Sequence, residues 1–416
     1  MPLSCVGEWI RNQAAPVRSQ VGVTVAAVGT WGHRNGTGAV YILRRGRDGQ
    51  WTQEAKLMAS DAAEEQWFGQ SLALRGDLLV AGAPQTNGSR GAVYTFRRGA
   101  DGAWTETTKM EVADAAENYA FGNAVLLVGD RLLIGAVGAD EYTGKVHVYA
   151  AGEEGWQQER TLLPFDAAQY AQFGAALYQA GDRVWIASPG ANGFQGRLYS
   201  FAVSDEEWTG VEKLGAAELR QGAGFGNTAA VGERLAAVGV PGADFGVGAV
   251  KVLEASGQGW REVATLAGAV QGMEAIVGGR VDCTGGKAAD LFPCQDVELL
   301  SFLPVQQIGG DRGVEVNDVW GWTDPQSGRE YAIVGRYDGT SFIDVTDAQN
   351  PRYLGNLPMT DGAQANVWRD IKVYRDHAFI VADGAGPHGI QVFDLKKLRN
   401  VREPRTFAED GHYDGI

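Results

Sequence analysis

The sequence predicts an all-β protein built from β-propeller blades, each of four antiparallel strands, with a period of about 52 residues. Three observations support this prediction. An aromatic–glycine pair recurs at nearly constant spacing, every period contains four short apolar runs, and 59 glycines supply many tight turns. A repeat of this length with four strands is typical of propeller blades, which are arranged radially around an axis.

Several positions keep their spacing through four successive copies of the repeat. Phe-Gly pairs begin at intervals of 53, 52 and 52 residues, and a glycine followed by an acid stands seven or eight residues after each Phe. Another glycine follows 23 residues after each Phe, and a Trp 12 or 13 residues after that glycine. We expect the recurring aromatic and glycine residues to be structural, and they are Phe68, Gly69, Phe121, Gly122, Phe173, Gly174, Phe225, Gly226, Trp51, Trp104, Trp156, Trp208 and Trp260.

The four strands of a unit can be assigned in order from one copy. The stretch SLALRGDLLVAG (71–82) is two apolar runs joined at Gly-Asp, which predicts a hairpin. GAVYTF (91–96) is rich in β-branched and aromatic residues, and WTETTKMEV (104–112) alternates apolar and polar residues like a strand with one solvated face. We expect the Phe and Trp side chains to pack between blades.

An earlier copy of the repeat is shorter than the others. Gly38 and Trp51 are 13 residues apart, as in later copies, but Val21 and Gly22 stand where Phe-Gly is expected. Val21 precedes Gly38 by 17 residues instead of 23. Either this first blade is shortened or the start of the chain is not the natural one.

The Phe-Gly pairs and the later Gly-Ala-Pro resemble FG-GAP repeats, the blades of integrin-type propellers, over roughly residues 9–266. Calcium-binding members carry a D-x-D-x-D-G ladder whose alternating oxygens surround the ion. No such ladder stands here, since the loops at 138–144 and 242–248 offer only Asp140, Glu141 and Asp244. We therefore expect no cofactor, with calcium in these loops as the alternative.

A second, looser repeat follows a glycine-rich stretch. Asp318 and Asp370 are 52 residues apart, and Asp344 and Asp394 are 50 apart. Their regular recurrence favours a structural role, such as capping strand-end amides. The pattern resembles LVIVD repeats. The motifs FPC, NDVWGW and YDGTSFIDVTD resemble the choice-of-anchor B family more closely, whose members are exported surface proteins.

These patterns predict three segments. Residues 1–268 form an FG-GAP-like propeller region, 269–296 a glycine-rich linker with a cysteine pair, and 297–416 an LVIVD-like region that is incomplete at its C-terminus. The alternative is one ring of seven blades, because the period is almost the same in both halves.

Composition excludes some classes of protein. The net charge of -15 argues against nucleic-acid binding, and no apolar run is long enough to span a membrane. The start of the chain lacks the basic and apolar regions of a secretion signal. Cys283 and Cys294 lie 11 residues apart and favour a disulfide formed in an oxidising compartment, with two free thiols as the alternative.

The histidines offer few candidates for chemistry. His147 lies in a repeat strand and is expected to be a strand residue. His388 and His412 lie in glycine-rich turns with acids such as Asp383 nearby, so they are the candidates for a metal site in a propeller channel. No catalytic fingerprint is present, and we expect no enzyme.

We therefore expect an exported or cell-surface protein, extracellular or associated with the periplasm or outer membrane, that presents propeller loops to a glycan or protein ligand. One alternative is a metal-dependent hydrolase or lyase that uses His388 and His412. The other is a structural spacer.

Overall fold

The computed structural model describes residues 18–21, 24–153, 155–203, 208–215, 219–256, 259–267, 273–366 and 368–413. The chain divides into two compact units. The first comprises residues up to 243 together with 248–267, and the second comprises 244–247 together with the residues from 268 onward.

The first unit contains five four-stranded sheets, which we number blades 1 to 5 in chain order. In each sheet, consecutive strands are neighbours and pair antiparallel, as the sequence predicts. The strands are β1 (Arg18–Val21), β2 (Val25–Gly29), β3 (Val40–Arg45), β4 (Trp51–Leu57), β5 (Ser71–Arg75), β6 (Leu78–Ala83), β7 (Ala92–Arg98), β8 (Trp104–Met110), β9 (Phe121–Val128), β10 (Arg131–Ala136), β11 (Lys145–Gly152), β12 (Gly155–Leu162), β13 (Leu177–Ala180), β14 (Arg183–Ser188), β15 (Arg197–Ala202), β16 (Thr209–Leu214), β17 (Ala229–Val231), β18 (Leu235–Val240), β19 (Ala249–Ser256) and β20 (Gly259–Ala267).

The shortened first copy nevertheless forms a complete sheet, because β1 pairs with β2 from Arg18 to Val21. Short helical turns connect the second and third strands of each blade. Their two central residues adopt left-handed backbone angles, for example Asn87 (φ 55°) and Gly88 (φ 68°). The turns are His33–Gly36, Thr86–Ser89, Ala139–Tyr142, Ala191–Phe194 and Ala243–Gly246.

The second unit contains a five-stranded sheet, blade 6, and a four-stranded sheet, blade 7. Blade 6 has a fifth, parallel strand, β30, at its edge, and the last strand of blade 7 is β31. The strands are β21 (Lys287–Ala288), β22 (Phe292–Pro293), β23 (Val316–Thr323), β24 (Glu330–Arg336), β25 (Gly339–Asp344), β26 (Arg352–Pro358), β27 (Arg369–Tyr374), β28 (His377–Ala382), β29 (Ile390–Asp394), β30 (Arg405–Thr406) and β31 (Gly411–Tyr413), with short 3₁₀ helices at Val305–Ile308 and Leu395–Leu398.

The all-β fold of four-stranded propeller blades is thus confirmed. The hydrophobic cores lie between blades, since each of the four clusters in the first unit joins residues of two neighbouring sheets. The Phe of each Phe-Gly pair is fully buried there, at 0% exposure for Phe68, Phe121, Phe173 and Phe225.

The recurring glycines mark the places where adjacent blades cross. Gly91 forms a parallel bridge with Phe121 of the next blade, and a Cβ at Gly91 would lie 2.1 Å from the Phe121 carbonyl oxygen. Gly122, directly after Phe121, has a φ of 91°, and a Cβ there would lie 2.7 Å from the carbonyl oxygen of Ala92. Only glycine fits such crossings, which explains why the repeat keeps glycine before the third strand and after each Phe.

Candidate functional site

A cleft of about 380 Å³ opens between blades 4 and 5, at the ends of their strands. Trp185 and Trp260 form one part of it, with their ring centroids 5.7 Å apart and their planes nearly perpendicular. Trp185 is buried, whereas Trp260 is half-buried. We refer to this site as the blade 4–5 cleft.

Carboxylates dominate the charge of the blade 4–5 cleft. Glu212 lines the cleft and accepts hydrogen bonds from Arg183 Nη1 at 2.6 Å and from Trp260 Nε1 at 3.2 Å. Asp182 and Glu233 line the same cleft and are exposed. The lining thus carries three carboxylates and one arginine, so the cleft attracts positive charge.

Between blades 1 and 2, side chains of the protein fill the corresponding place. Glu54 accepts hydrogen bonds from Arg98 Nε at 2.8 Å and from Trp104 Nε1 at 2.9 Å, and it also pairs with Arg44. The hydrogen bond from Arg44, with those from Arg98 and Trp104, lowers the pKa of Glu54 to about 2. Glu54 is therefore ionised under almost all conditions.

The strand register identifies the residue that distinguishes the two places. Arg98 lies opposite Trp104 in blade 2, and Ala255 lies opposite Trp260 in blade 5. A guanidinium thus enters the site between blades 1 and 2, while blade 5 offers only a methyl group. Trp185 is a second residue that distinguishes the blade 4–5 cleft. The equivalent positions in the earlier copies, directly after Leu79 and Leu132, hold Val80 and Leu133.

The two histidines proposed for a metal site lie near each other in blade 7 of the second unit. Thr360 Oγ1 donates to the carbonyl oxygen of His388 at 3.2 Å and lies 3.4 Å from His412 Nδ1. The Asp383 side chain is exposed, and the bonds found at this residue involve its backbone: its N–H donates to Trp368 and its carbonyl accepts from Asn366.

The ring of His388 faces a cation. His388 is 1% exposed, and its Nε2 lies 2.7 Å from Nη1 of the buried Arg369. Burial is the main cause that lowers the pKa of His388, so its ring is neutral at pH 7. A guanidinium at this nitrogen opposes metal ligation. Within the described ranges no cluster of three or more His, Cys, Asp or Glu is placed to hold a metal ion.

The acids of the candidate calcium loops have other partners. Asp140 pairs with Lys145 at 2.9 Å, Glu141 accepts a hydrogen bond from Gln169 at 2.8 Å, and Asp244 pairs with Arg312. These contacts neutralise or engage the carboxylates separately. The loops therefore present single acids with neighbours of their own.

His147 is a strand residue of blade 3. It is 5% exposed, and its ring lies 2.9 Å from the Tyr119 hydroxyl and 3.2 Å from Gln158 Nε2. Burial, with a smaller contribution from Lys145, lowers the pKa of His147 to about 4. The imidazole is thus a neutral part of the core.

Cys283 and Cys294 are joined by a disulfide. The bridge closes a loop that contains the small hairpin of β21 and β22, and Cys294 N–H donates to the carbonyl oxygen of Gly286 at 2.9 Å. Three aspartates of the second repeat accept from backbone N–H groups, among them Asp344 from Thr346, whereas Asp370 pairs with the side chain of Lys372. Asp318 accepts from the N–H of Ile371 at 2.7 Å, and Asp394 accepts from the N–H of Lys396 at 3.0 Å.

The fold and these sites define a propeller-blade repeat protein with a polar cleft between blades. The family model for the FG-GAP repeat matches residues 51–96 and 104–149. Each match runs from the fourth strand of one blade through the third strand of the next. This finding supports the FG-GAP resemblance of the first unit.

The solved structures that match this chain share little sequence with it. A protein from Lactobacillus plantarum is 11% identical, with a TM-score of 0.43 over 92% of this chain and 94% of that chain. Sqt1 from Chaetomium thermophilum is 13% identical, with a TM-score of 0.38 over 90% of this chain and 80% of that chain. No curated protein matches this chain. Among the described residues, no helix is long and apolar enough to cross a membrane.

Proposed function

We propose that this protein is a non-enzymatic binding protein, exported or displayed at a cell surface, that recognises a protein partner through a basic side chain. The observation that carries this proposal is the blade 4–5 cleft. It places Trp260 and Glu212 around a space that the equivalent site fills with Arg98. Arg98 is thus an example, within the same protein, of the guanidinium group that we expect the cleft to bind.

A guanidinium or ammonium group suits this cleft for two reasons. Three carboxylates against one arginine leave the cleft negative, and the indole of Trp260 can contact a cation through its ring face. Rigid blades hold the surrounding loops in place, which is how propellers present binding residues. A neutral glycan would use the Trp ring but gain little from the excess of carboxylates.

Two features support an exported location. The Cys283–Cys294 disulfide is typical of an oxidising compartment. The resemblance of the second half to LVIVD repeats and choice-of-anchor B domains implies a surface protein. Our proposal includes export and surface display, together with a role in adhesion.

The enzymatic alternative has less support from the geometry. Thr360 and Glu409 both contact the same nitrogen of His412, Nδ1, at 3.4 and 3.3 Å. A base that activates a hydroxyl needs its acid on the opposite ring nitrogen. The other histidine of this region, His388, has its Nε2 engaged by Arg369.

The test compares peptides that carry one exposed Arg or Lys with matched Glu peptides and neutral oligosaccharides, by calorimetric titration at two salt concentrations. We expect binding of the basic peptides alone, weakened by salt because the attraction is electrostatic. Glu212→Gln should abolish binding. The control is Glu159→Gln, since Glu159 also forms an ion pair with an arginine, Arg131, in blade 3.

A second variant fills the cleft from within. Ala255→Arg places a guanidinium opposite Trp260, as Arg98 lies opposite Trp104. We expect this variant to lose peptide binding and to melt at or above the wild-type temperature. Retained binding would show that the ligand lies elsewhere. Binding of the oligosaccharides alone would replace the protein partner by a glycan, and binding of neither class would favour the spacer role.

A further inference from the structure

Blade 7 of the second unit has one covered face and one open face. Side chains alternate along β27, and those of Ile371 and Val373 belong to the core shared with blade 6. The strand register sets the residue pairs of the opposite face, which are Trp368 with Asp383, Asp370 with Val381, Lys372 with Phe379 and Tyr374 with His377. We refer to this surface as the open face of blade 7.

Aromatic side chains on the open face of blade 7 are exposed to solvent. Trp368 and Tyr374 are each 65% exposed, and Phe379 between them is 36% exposed. Tyr413 of the outer strand β31 is 64% exposed and pairs with Ile390. Trp368 and Tyr374 are six residues apart, which is about 20 Å at the rise of an extended strand. The rings therefore form a row along the sheet.

The charged residues of the open face argue against its being covered by another blade. In blade 2, the face that packs against blade 3 holds Ala73, Val80 and Val93, all of them buried. The middle of the open face of blade 7 instead holds Asp370 and Lys372, both exposed. A covering blade would remove both charges from water at a large cost in free energy. The open face is thus suited to a ligand that is itself hydrated.

Most of the charge on the open face is compensated within the protein. Lys372 pairs with Asp370, and Lys396 pairs with Asp394 at 3.4 Å. Asp383 is exposed and, among the described residues, forms hydrogen bonds only through its backbone. One carboxylate beside the first ring of the row is therefore free, which disfavours an anionic ligand and leaves a hydrogen-bond acceptor.

We propose that the open face of blade 7 binds a neutral polysaccharide. Sugar rings combine apolar C–H faces with hydroxyl groups, so they stack on exposed Trp and Tyr rings and remain hydrated at their edges. An extended polymer repeats this face and contacts several rings of the row at once, whereas a protein interface concentrates its anchors near one centre. The Asp383 carboxylate accepts a hydrogen bond from a hydroxyl of the sugar on Trp368.

The length of the row sets the length of the ligand. An oligosaccharide of a few sugars contacts one ring, so the polymer is the ligand that uses the whole face. The site is separate from the blade 4–5 cleft, which lies in the first unit and carries an excess of carboxylates.

The experiment is native affinity electrophoresis of the full chain through gels that contain hydroxyethyl cellulose, arabinoxylan, galactomannan or carboxymethyl cellulose. The net charge of -15 drives the protein through the gel, and binding to the polymer retards it. We expect retardation by at least one of the three neutral polymers. Carboxymethyl cellulose has the backbone of hydroxyethyl cellulose but is anionic, and we expect it to cause no retardation.

Substitutions on the open face test the row of rings. Trp368→Ala and Tyr374→Ala should each weaken polymer binding about tenfold, as expected for the loss of one aromatic contact. Asp383→Ala should weaken it less, and Asp383→Asn, which keeps an acceptor, should bind like the wild type. Tyr170→Ala is the control, since Tyr170 is 50% exposed in the first unit. Glu212→Gln should also bind the polymer like the wild type, so failure at the cleft and failure at this face are distinguishable.

Unchanged mobility in all three neutral polymers would overturn the proposal. It would also fail if the double variant of Trp368→Ala and Tyr374→Ala were retarded like the wild type, or if carboxymethyl cellulose retarded the protein as strongly as hydroxyethyl cellulose. Sedimentation velocity tests the competing occupant, because a wild-type dimer that Tyr374→Ala dissociates would assign the face to a second copy of the chain. Since the substituted side chains are exposed, equal melting midpoints verify that the variants fold.

Discussion

At the scale of single residues, the repeat is dictated by close contacts between neighbouring backbones. Gly91 combines a positive φ of 88° with a Cβ position 2.1 Å from the Phe121 carbonyl oxygen. Gly76 also has a positive φ, of 57°, but no atom lies within 4 Å of its Cβ position. Substitutions at these two glycines therefore distinguish the free-energy cost of the backbone angle from that of a clash between blades.

We expect Gly91→Ala to lower the free energy of unfolding by about 2–4 kcal/mol, as the sum of left-handed strain and overpacking. Gly76→Ala should lower it by only about 1 kcal/mol, from the left-handed strain alone. Chemical denaturation of both variants measures the difference. Equal losses in the two variants would show that blade crossing does not require glycine at position 91.

His147 occupies a position that is aromatic in the neighbouring blades. Tyr94 donates to Asp61 at 2.7 Å, and Tyr199 donates to Asp166 at 2.7 Å, each across 33 residues of sequence. Asp114 lies 33 residues before His147, yet His147 contacts Tyr119. Blade 3 thus has a buried neutral imidazole in place of the Tyr–Asp pair, which adds an acid-sensitive group to this blade.

The direction of the pH effect follows from the lowered pKa of His147. The folded state binds the proton only near pH 4, whereas an unfolded histidine binds it near pH 6.5. The stability that His147 contributes is therefore complete above about pH 6.5 and is lost towards pH 4, by on the order of 3 kcal/mol. We expect His147→Tyr to flatten stability between pH 6.5 and 4 in equilibrium unfolding. Tyr199→His should create less of this dependence in blade 4, because Asp166 lies next to that position and favours a protonated ring. A wild-type slope in His147→Tyr would contradict the argument.

At the scale of elements, carboxylates of two fourth strands, Glu54 and Glu212, connect their blades to the next one. Glu54 of β4 joins Arg44 of its own blade to Arg98 and Trp104 of the next. Because Glu54 is only 14% exposed, these bonds are poorly screened by water. The link accounts for Trp104 and Trp260, which are half-buried and donate Nε1 to a carboxylate, whereas Trp208 is buried at 6% exposure.

We expect Glu54→Gln to destabilise the protein at neutral pH and to remove part of its acid sensitivity. The pKa of Glu54 is about 2 in the folded state, below its ordinary 4.5, so its contribution is present above about pH 5 and fades towards pH 2. Unfolding titrations at pH 7 and pH 3 measure this, with the exposed Glu117→Gln as the control. A variant that loses as much stability at pH 3 as at pH 7 would exclude this role of the carboxylate.

The sequence predicts the elements better than it predicts the sites. The period, the four strands and the buried Phe positions depend on local propensity and on glycines that must fit a fixed crossing, so they recur visibly. The blade 4–5 cleft depends instead on departures from the repeat, namely Trp185 and Ala255, whose meaning emerges only when blades are compared by register. Arg369 is 19 residues from His388, and no repeated pattern links the two. Sequence proximity pointed to Asp383, whereas strand pairing brings the guanidinium to the imidazole.

At the scale of the whole molecule, each unit has apolar cores of its own. Four inter-blade cores hold blades 1 to 5, and one core of large side chains joins blades 6 and 7, including the stacked rings of Phe342 and Phe393 at 4.4 Å. The disulfide of Cys283 and Cys294 belongs to the second unit. Separate cores are the physical condition for separate unfolding transitions.

We therefore expect calorimetry of the full chain to show two transitions, of which reduction shifts only one. Opening a disulfide that spans 11 residues should destabilise the second unit by at most about 3 kcal/mol, through the entropy of the unfolded loop. The pair Cys283→Ser and Cys294→Ser should reproduce the shift without a reductant. Residues 1–267 produced alone should keep the transition that reduction leaves unmoved. If the full chain instead melts in one transition that moves as a whole on reduction, and residues 1–267 alone do not fold, then blades 1 to 7 cooperate as a single ring.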